Sequence, residues 1–214
     1  MVREVNLRVA PGEFAYIHLE DGGAAASFFS LLCGVLPPSK GRVLVDGLDL
    51  AGLDKASTRR QVAYVGQGCR LLRGTVLENI TRFDPKAVDQ ALASAELLGL
   101  REALGDLPEG YNTRVGDRNG ASISPGPVQR ICLARALCHR PRVLLLDQVD
   151  VSMDAASRSV LYDLLLYLRG HMTVLMCGRN PRLLDVADSI HVLRRGGLHQ
   201  ANTEEISWLK KRFA

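Results

Sequence analysis

Hydrophobic and polar positions alternate at the start of the chain, give way to helical spacing in the middle, and alternate again in the last third. Val5-Asn6-Leu7-Arg8-Val9 alternates, Pro11-Gly12 turns, and Phe14-Ala15-Tyr16-Ile17-His18-Leu19 has the apolar density of a buried strand. Glu20-Asp21-Gly22-Gly23 reads as a loop. Ala24 to Leu36 reads as a helix that Pro37-Pro38 terminates. Val43-Leu44-Val45-Asp46-Gly47 and Val62-Ala63-Tyr64-Val65 predict short strands. From about Leu77 to Leu137 the spacing is helical, notably over Ala87 to Leu98 and Gln129 to Leu137, with a Gly-, Asn-, Asp- and Pro-rich loop from Pro108 to Pro127 between them. Strand Arg142–Leu146, helix Ala155–Leu168, strand Thr173–Cys177, helix Pro181–Ala187 and strand Ser189–Leu193 follow. Strands and helices alternating at these lengths predict an α/β fold, a mostly parallel sheet with crossover helices.

Composition narrows the class. A chain of 214 residues, 47% hydrophobic and 23% charged, has the make-up of one or two ordinary globular domains with a substantial core. Its net charge of +4 comes from scattered cations, which argues against nucleic acid as a partner. Lys210-Lys211-Arg212 reads as a solvated C-terminal face, with acidic lipid or protein as the competing reading. No apolar run approaches the roughly 18 to 20 residues that span a bilayer, and Met1-Val2-Arg3-Glu4 does not open a signal peptide. The five cysteines are irregularly spaced and form no CxxC pair, so they are expected to be reduced core thiols of a cytosolic protein and not a metal site.

Two segments could carry chemistry. In Leu19-Glu20-Asp21-Gly22-Gly23-Ala24-Ala25-Ala26-Ser27, a strand meets a helix through a glycine-bearing loop, an arrangement whose amides can cradle phosphate but which is often a plain turn. Val143-Leu144-Leu145-Leu146-Asp147 is an apolar strand ending in a carboxylate, fit either to sit near Mg²⁺ or simply to close a buried strand. The surroundings decide. Gln67 follows a strand, Ile123-Ser124-Pro125-Gly126-Pro127 precedes Val128-Gln129-Arg130-Ile131-Cys132-Leu133-Ala134-Arg135-Ala136-Leu137, and Pro141 to Asp147 and Asp154 come next. In order and spacing the chain closely resembles, over essentially its whole length, the ABC transporter ATPase family. That family runs P-loop, Q-loop glutamine, LSGGQ signature, Walker B with a catalytic Glu, D-loop and switch His.

The resemblance implies a P-loop NTPase-type, mostly parallel sheet core with an antiparallel β part and a helical subdomain. Residues 1–80 and 138–214 would form the RecA-like ATPase core, and 81–137 the helical signature subdomain. Gly74-Thr75-Val76-Leu77-Glu78-Asn79-Ile80 resembles the G-T-[IV]-x-E-N-I run of exporters, and Tyr111-Asn112-Thr113-Arg114-Val115-Gly116-Asp117 resembles their X-loop. In that family both regions face the coupling helices of membrane domains. The implied partners are the transmembrane domain of an exporter and a second nucleotide-binding domain, the implied location is the cytoplasmic face of the membrane, and the implied cofactor is ATP with Mg²⁺. Asp106-Leu107-Pro108-Glu109-Gly110-Tyr111 resembles type I secretion and peptide exporters, which hints at protein or peptide cargo.

The departures from the family are chemical. Ala25 stands at the P-loop Lys and Ala26 at the Mg²⁺-binding hydroxyl; Leu19 and Ala24 replace glycines, while Gly22 and Ser27 keep the family residue. Losing one charged partner of a desolvated contact costs about 2 to 5 kcal/mol. Gln67 and Asp147 remain as weak Mg²⁺ contacts at most. Gln148 takes the place of the catalytic Glu, and an amide cannot accept a proton from water; Arg179 takes the place of the switch His. Pro125 and Pro127 remove two N–H groups from the signature. Ser124, Gly126 and Asp154 keep the family residue, and in the family these face the other subunit's ATP. The expectation is therefore a degenerate pseudo-ATPase that supports transport through an active homologous partner, with two alternatives: an active but atypical ATPase, or a non-transport scaffold. Family members also carry an adenine-stacking aromatic upstream of Val5. The chain starts after that point, so it was either cut from a longer polypeptide or has lost adenine recognition, and Tyr16 is expected to be packing.

Overall fold

The computed structural model describes residues 2–20, 22–107, 109–116 and 121–213. In chain order the elements are β1 (Phe14–Leu19), α1 (Gly22–Leu32), β2 (Leu44–Val45), β3 (Leu48–Asp49), α2 (Lys55–Gln61), β4 (Val62–Gly66), β5 (Gly74–Thr75), α3 (Val76–Thr81), α4 (Val88–Leu97) and α5 (Leu100–Ala103). They continue with β6 (Arg114–Val115), α6 (Pro125–Leu137), β7 (Val143–Asp147), α7 (Ala155–Leu168), β8 (Thr173–Cys177), α8 (Arg182–Val186), β9 (Ser189–Arg194), β10 (Gly197–Gln200) and α9 (Thr203–Phe213). Among the described residues no helix is long and apolar enough to cross a membrane.

Runs such as FAYIHL, VLLLD and TVLMC bury both faces, as strands inside a parallel sheet must. They lie in a six-stranded sheet of order β10-β9-β1-β8-β7-β4. β1 pairs in parallel with β8 and β9, β7 pairs in parallel with β8, and β10 closes one edge antiparallel to β9. The expected mostly parallel α/β fold is therefore present. β2 and β3 form a separate hairpin turned by Asp46-Gly47, both at positive φ as a tight primed turn demands.

The chain divides into two compact units. The first comprises Met1–Tyr64, Pro141–Gln148 and Leu168–Ala214. Its core joins Ala15 and Ile17 of β1, Leu145 and Leu175 to Phe28 and Phe29 of α1. Successive strand residues point to opposite faces, so His18 lies on the other face of β1, where its ring meets Trp208 and Phe213 of α9. The second unit, Val65–Arg140 with Val149–Tyr167, is helical and has α6 at its centre. α6 is buried nearly all round, including the polar residues Gln129 and Arg130; Arg130 Nε donates to Ser157 Oγ at 3.0 Å.

Several expectations are corrected. Val5 to Val9 is not a strand, although its alternation survives as half-buried and exposed positions. α1 starts at Gly22, earlier than expected, and ends at Leu32 instead of Leu36. It ends there because Gly34 takes φ +66° and the amides of Gly34 and Val35 return to Leu31 and Ser30, a Schellman closure. α2, β10 and α9 were not anticipated. The cysteines are not all reduced: Cys69 and Cys132, 63 residues apart, form a disulfide with Cα atoms 6.5 Å apart, because α6 presents residue 132 to the segment after β4. Cys33, Cys138 and Cys177 are not disulfide-bonded.

Candidate functional site

The strand-to-helix junction of the first unit runs from Leu19 at the end of β1 to Gly22 at the start of α1. Two positions separate Leu19 from the start of α1; position 21 lies outside the described residues. Ala24 and Ala25 are each 4% exposed and Ala24 packs in the Phe28 core, while Ala26 is exposed and Ser27 half-buried. Gly22 opens the helix. Glu20 sits ahead of it and accepts from Arg194 Nε at 2.8 Å, and that hydrogen bond holds its carboxyl below the usual range.

Asp147 ends β7, and both of its carboxylate oxygens are engaged within the unit. Oδ2 accepts from the Tyr64 hydroxyl at 3.1 Å, and Oδ1 accepts from the Cys177 thiol at 3.0 Å. Burial first, and the neighbouring Asp147 carboxylate second, push the Tyr64 hydroxyl well above its ordinary value. Gln148 follows at φ +52°, a left-handed conformation uncommon for a side-chain-bearing residue, with its N–H donating to Cys177 O at 2.9 Å. Gln148 and Arg179 share one cavity of about 340 Å³ with His18, Glu20, Arg212 and Phe213. Arg212 stacks over Trp208, 4.9 Å from the ring centre, and His18 is held below its ordinary pKa by burial and then by Arg212. Tyr16 is fully buried and its hydroxyl donates to Gly178 O at 2.5 Å, so it serves packing.

A bound Mg²⁺–triphosphate needs an oxygen ligand at the helix start, a cation at the phosphates and a carboxylate with an open oxygen. Positions 25 and 26 supply methyl groups in place of a cation and an oxygen, while each oxygen of Asp147 accepts one hydrogen bond and keeps a second lone pair.

In the second unit, Gln67 is exposed in the turn after β4, and Gln129 Nε2 donates to its carbonyl at 2.9 Å and to that of Gly66 at 3.2 Å. Ser124 is the exposed N-cap residue of α6, with Pro125 as the first helical residue. A Cβ on Gly126 would collide with the carboxylate of Asp154 and with Ser157 Oγ. Asp154 in turn accepts from the Ser157 amide at 2.7 Å, and this bond lowers its pKa. Ser124, Gly126 and Asp154 therefore gather where α6 and α7 begin.

The two exporter-like stretches also meet. β5 pairs antiparallel with β6, and Val76 N–H donates to Thr113 O at 3.1 Å. Thr75 and Glu78 form a reciprocal capping box on α3. Pro108 and Asp117 of the predicted motifs lie outside the described residues. Sequence reasoning missed Tyr64, Cys177 and the α9 side of the His18 cavity. The one available signal was that strands ending in Asp147 and Cys177 could lie in register, as they do.

Comparison with known proteins places this geometry. The family profile described as ABC transporter matches residues 2–150. The cyclolysin secretion/processing ATP-binding protein CyaB of Bordetella pertussis is 35% identical over 205 residues, covering 95% of this chain and 29% of the relative. The leukotoxin export ATP-binding protein LtxB of Aggregatibacter actinomycetemcomitans is 34% identical over 206 residues, 94% of this chain and 29% of the relative. A solved bacterial Atm1-family ABC exporter with ATP bound matches with a TM-score of 0.85 and 27% identity, over 99% of this chain and 38% of that one. The chain thus spans under a third of the length of these curated relatives.

Proposed function

Because the chain belongs to the ABC transporter family, we propose that it is the nucleotide-binding domain of an exporter, that its own ATP site is inactive, and that it works through a partner domain whose site is intact. The observation that carries this reading is the start of α1, where the Lys and hydroxyl positions are Ala25 and Ala26 and the first of them is buried. Without that cation and that ligand, the phosphates lose contacts of about 2 to 5 kcal/mol each. Gln148 adds a second obstacle, since its amide cannot take a proton from an attacking water.

The retained residues support a cooperative role. Ser124, Gly126 and Asp154 sit together at the starts of two helices, and by family resemblance they would face ATP held by the partner. The β5–β6 ribbon and Gln67 would meet the transmembrane domain at the cytoplasmic face. CyaB is named for cyclolysin secretion and processing and LtxB for leukotoxin export, and with the Asp106 to Tyr111 resemblance this favours protein or peptide cargo.

Calorimetry with Mg²⁺ and ATP tests this reading directly. The purified chain is expected to give no binding heat up to about 1 mM nucleotide, a limit of roughly −4 kcal/mol. Addition of an active homologous ATPase domain with ATP is expected to produce a mixed dimer that Ser124→Glu weakens. Micromolar binding by the chain alone, with turnover, would instead identify an active atypical enzyme. A mixed dimer indifferent to Ser124 and Asp154 would point to a scaffold.

A further inference from the structure

Three side chains on one side of α6 hold the end of β4 and the segment that follows it. Gln129 donates to the Gly66 and Gln67 carbonyls, Cys132 is bonded to Cys69, and Arg135 Nη1 donates to Arg70 O at 3.1 Å. Residues three apart lie on neighbouring turns of a helix, so these contacts form a continuous strap along α6. Its middle member is covalent, and its two sulfurs differ in access: Cys69 is half-buried in a turn, whereas Cys132 is 2% exposed.

We propose that Cys69–Cys132 is a reversible thiol–disulfide exchange site, that its co-reactant is a small thiol of the glutathione class, and that its redox state sets how firmly the Gln67 segment is held to α6. In reduction, the thiolate of the small thiol attacks Sγ of Cys69, the accessible sulfur. The Cys69–Cys132 bond breaks, and Cys132 leaves as a thiolate and takes up a proton. A second small thiolate then attacks the small-molecule sulfur of the mixed disulfide, releasing the Cys69 thiol. The sum is one protein disulfide and two thiols giving a protein dithiol and one small-molecule disulfide, with two electrons passed to the protein; oxidation is the reverse. The other cysteines are poorly suited to compete. Burial pushes the Cys33 thiol up to about 11 and raises that of Cys138, while Cys177 donates to Asp147. None of this depends on the nucleotide site, and the test contains no nucleotide.

The full chain is equilibrated across ratios of reduced to oxidised glutathione, quenched in acid, unfolded and alkylated. Of the five cysteines, three are expected to be alkylated at the oxidising end and all five at the reducing end, with peptide mapping assigning the difference to Cys69 and Cys132. Hydrogen exchange of the peptide 66–72 in the wild-type chain is expected to quicken about tenfold or more on reduction. Cys132→Ala is expected to trap a glutathione adduct on Cys69. Five alkylated thiols at every ratio, or exchange at 66–72 that ignores the redox state, would overturn the proposal; neither result bears on whether the chain binds ATP.

Discussion

A hydrogen stands at position 126 where any other residue would put a carbon into the Asp154 carboxylate and Ser157 Oγ. Packing between the starts of α6 and α7 thus requires this glycine, whatever the signature does for a partner. Gly126→Ala is expected to lower stability by about 1–3 kcal/mol, a fall of roughly 2–4 °C per kcal/mol in thermal denaturation. Gly52→Ala, where nothing lies within 4 Å of the added carbon, should leave the midpoint unchanged. His18 supplies a pH test. Burial and Arg212, outweighing Glu20, depress its pKa in the folded chain, so the unfolded chain binds the proton more readily. Its contribution to stability is therefore complete above its unfolded pKa of about 6.5 and is lost as pH falls below it. The denaturation midpoint is expected to drop between about pH 7.5 and 5.5, and His18→Phe should flatten that drop, leaving the part due to His191, whose pKa burial also lowers. An equal slope in the variant would remove His18 from the account. Residues such as Ala25 and Gln148 were legible because their chemistry is a property of the letter at that position. The partners of Asp147 were not, because Tyr64 and Cys177 reach it through sheet neighbours far away in sequence.

Local rules carried most of the helices. The helices over Ala87 to Leu98, Gln129 to Leu137 and Ala155 to Leu168 follow their apolar spacing, whereas α1 closes at Gly34, ahead of the Pro37-Pro38 pair at which the sequence pattern places its end. Val5 to Val9 shows the limit of such rules. Alternation reports a half-buried face, and Val5, Leu7 and Val9 do pack against the core, but a strand also needs a ladder partner that the pattern does not supply. The disulfide was invisible for a similar reason, since a contact across 63 residues depends on tertiary approach. Asn79 in α3 shows how much one buried side chain can organise. Its Oδ1 accepts from Leu72 N–H at 2.7 Å and from the Arg135 guanidinium at 2.5 Å, and its Nδ2 donates to the carbonyls of Leu72 and Thr75, each at 2.9 Å. Asn79→Leu would leave a backbone amide and a guanidinium without this acceptor, at about 1–3 kcal/mol for the amide and more for the charge. Chemical denaturation should show a loss of at least about 2 kcal/mol, whereas Thr75→Ala should cost about 1 kcal/mol. Equal effects would mean that α3 is held by its cap alone.

Nucleotide binding, if it occurs, must appear as stability of the whole chain, because a ligand that binds the folded state alone raises its unfolding free energy by an amount set by concentration and affinity. An intact site with a dissociation constant near 10 μM would gain about 2.7 kcal/mol at 1 mM ATP, and for a chain of this length that corresponds to roughly 5–10 °C. A constant of 1 mM or weaker would give at most about 0.4 kcal/mol, a shift of about 1 °C. The two readings therefore differ by several degrees in one thermal scan with and without Mg²⁺–ATP. The expected result is the small shift for the chain alone. Ala25→Lys should not enlarge it, because Ala25 is buried and position 26 still lacks the hydroxyl. A Lys placed there would more readily destabilise the core of α1, lowering the midpoint with or without ATP. With an active homologous domain present, ATP should raise the midpoint of this chain, since the nucleotide held by that domain would bridge to Ser124, Gly126 and Asp154. Asp154→Ala should remove that rise while leaving the partner's own ATP shift in place. A rise that persists in Asp154→Ala would mean that the two domains associate without this face, and a large shift for the unmixed chain would mean that its helix start holds phosphate without a lysine.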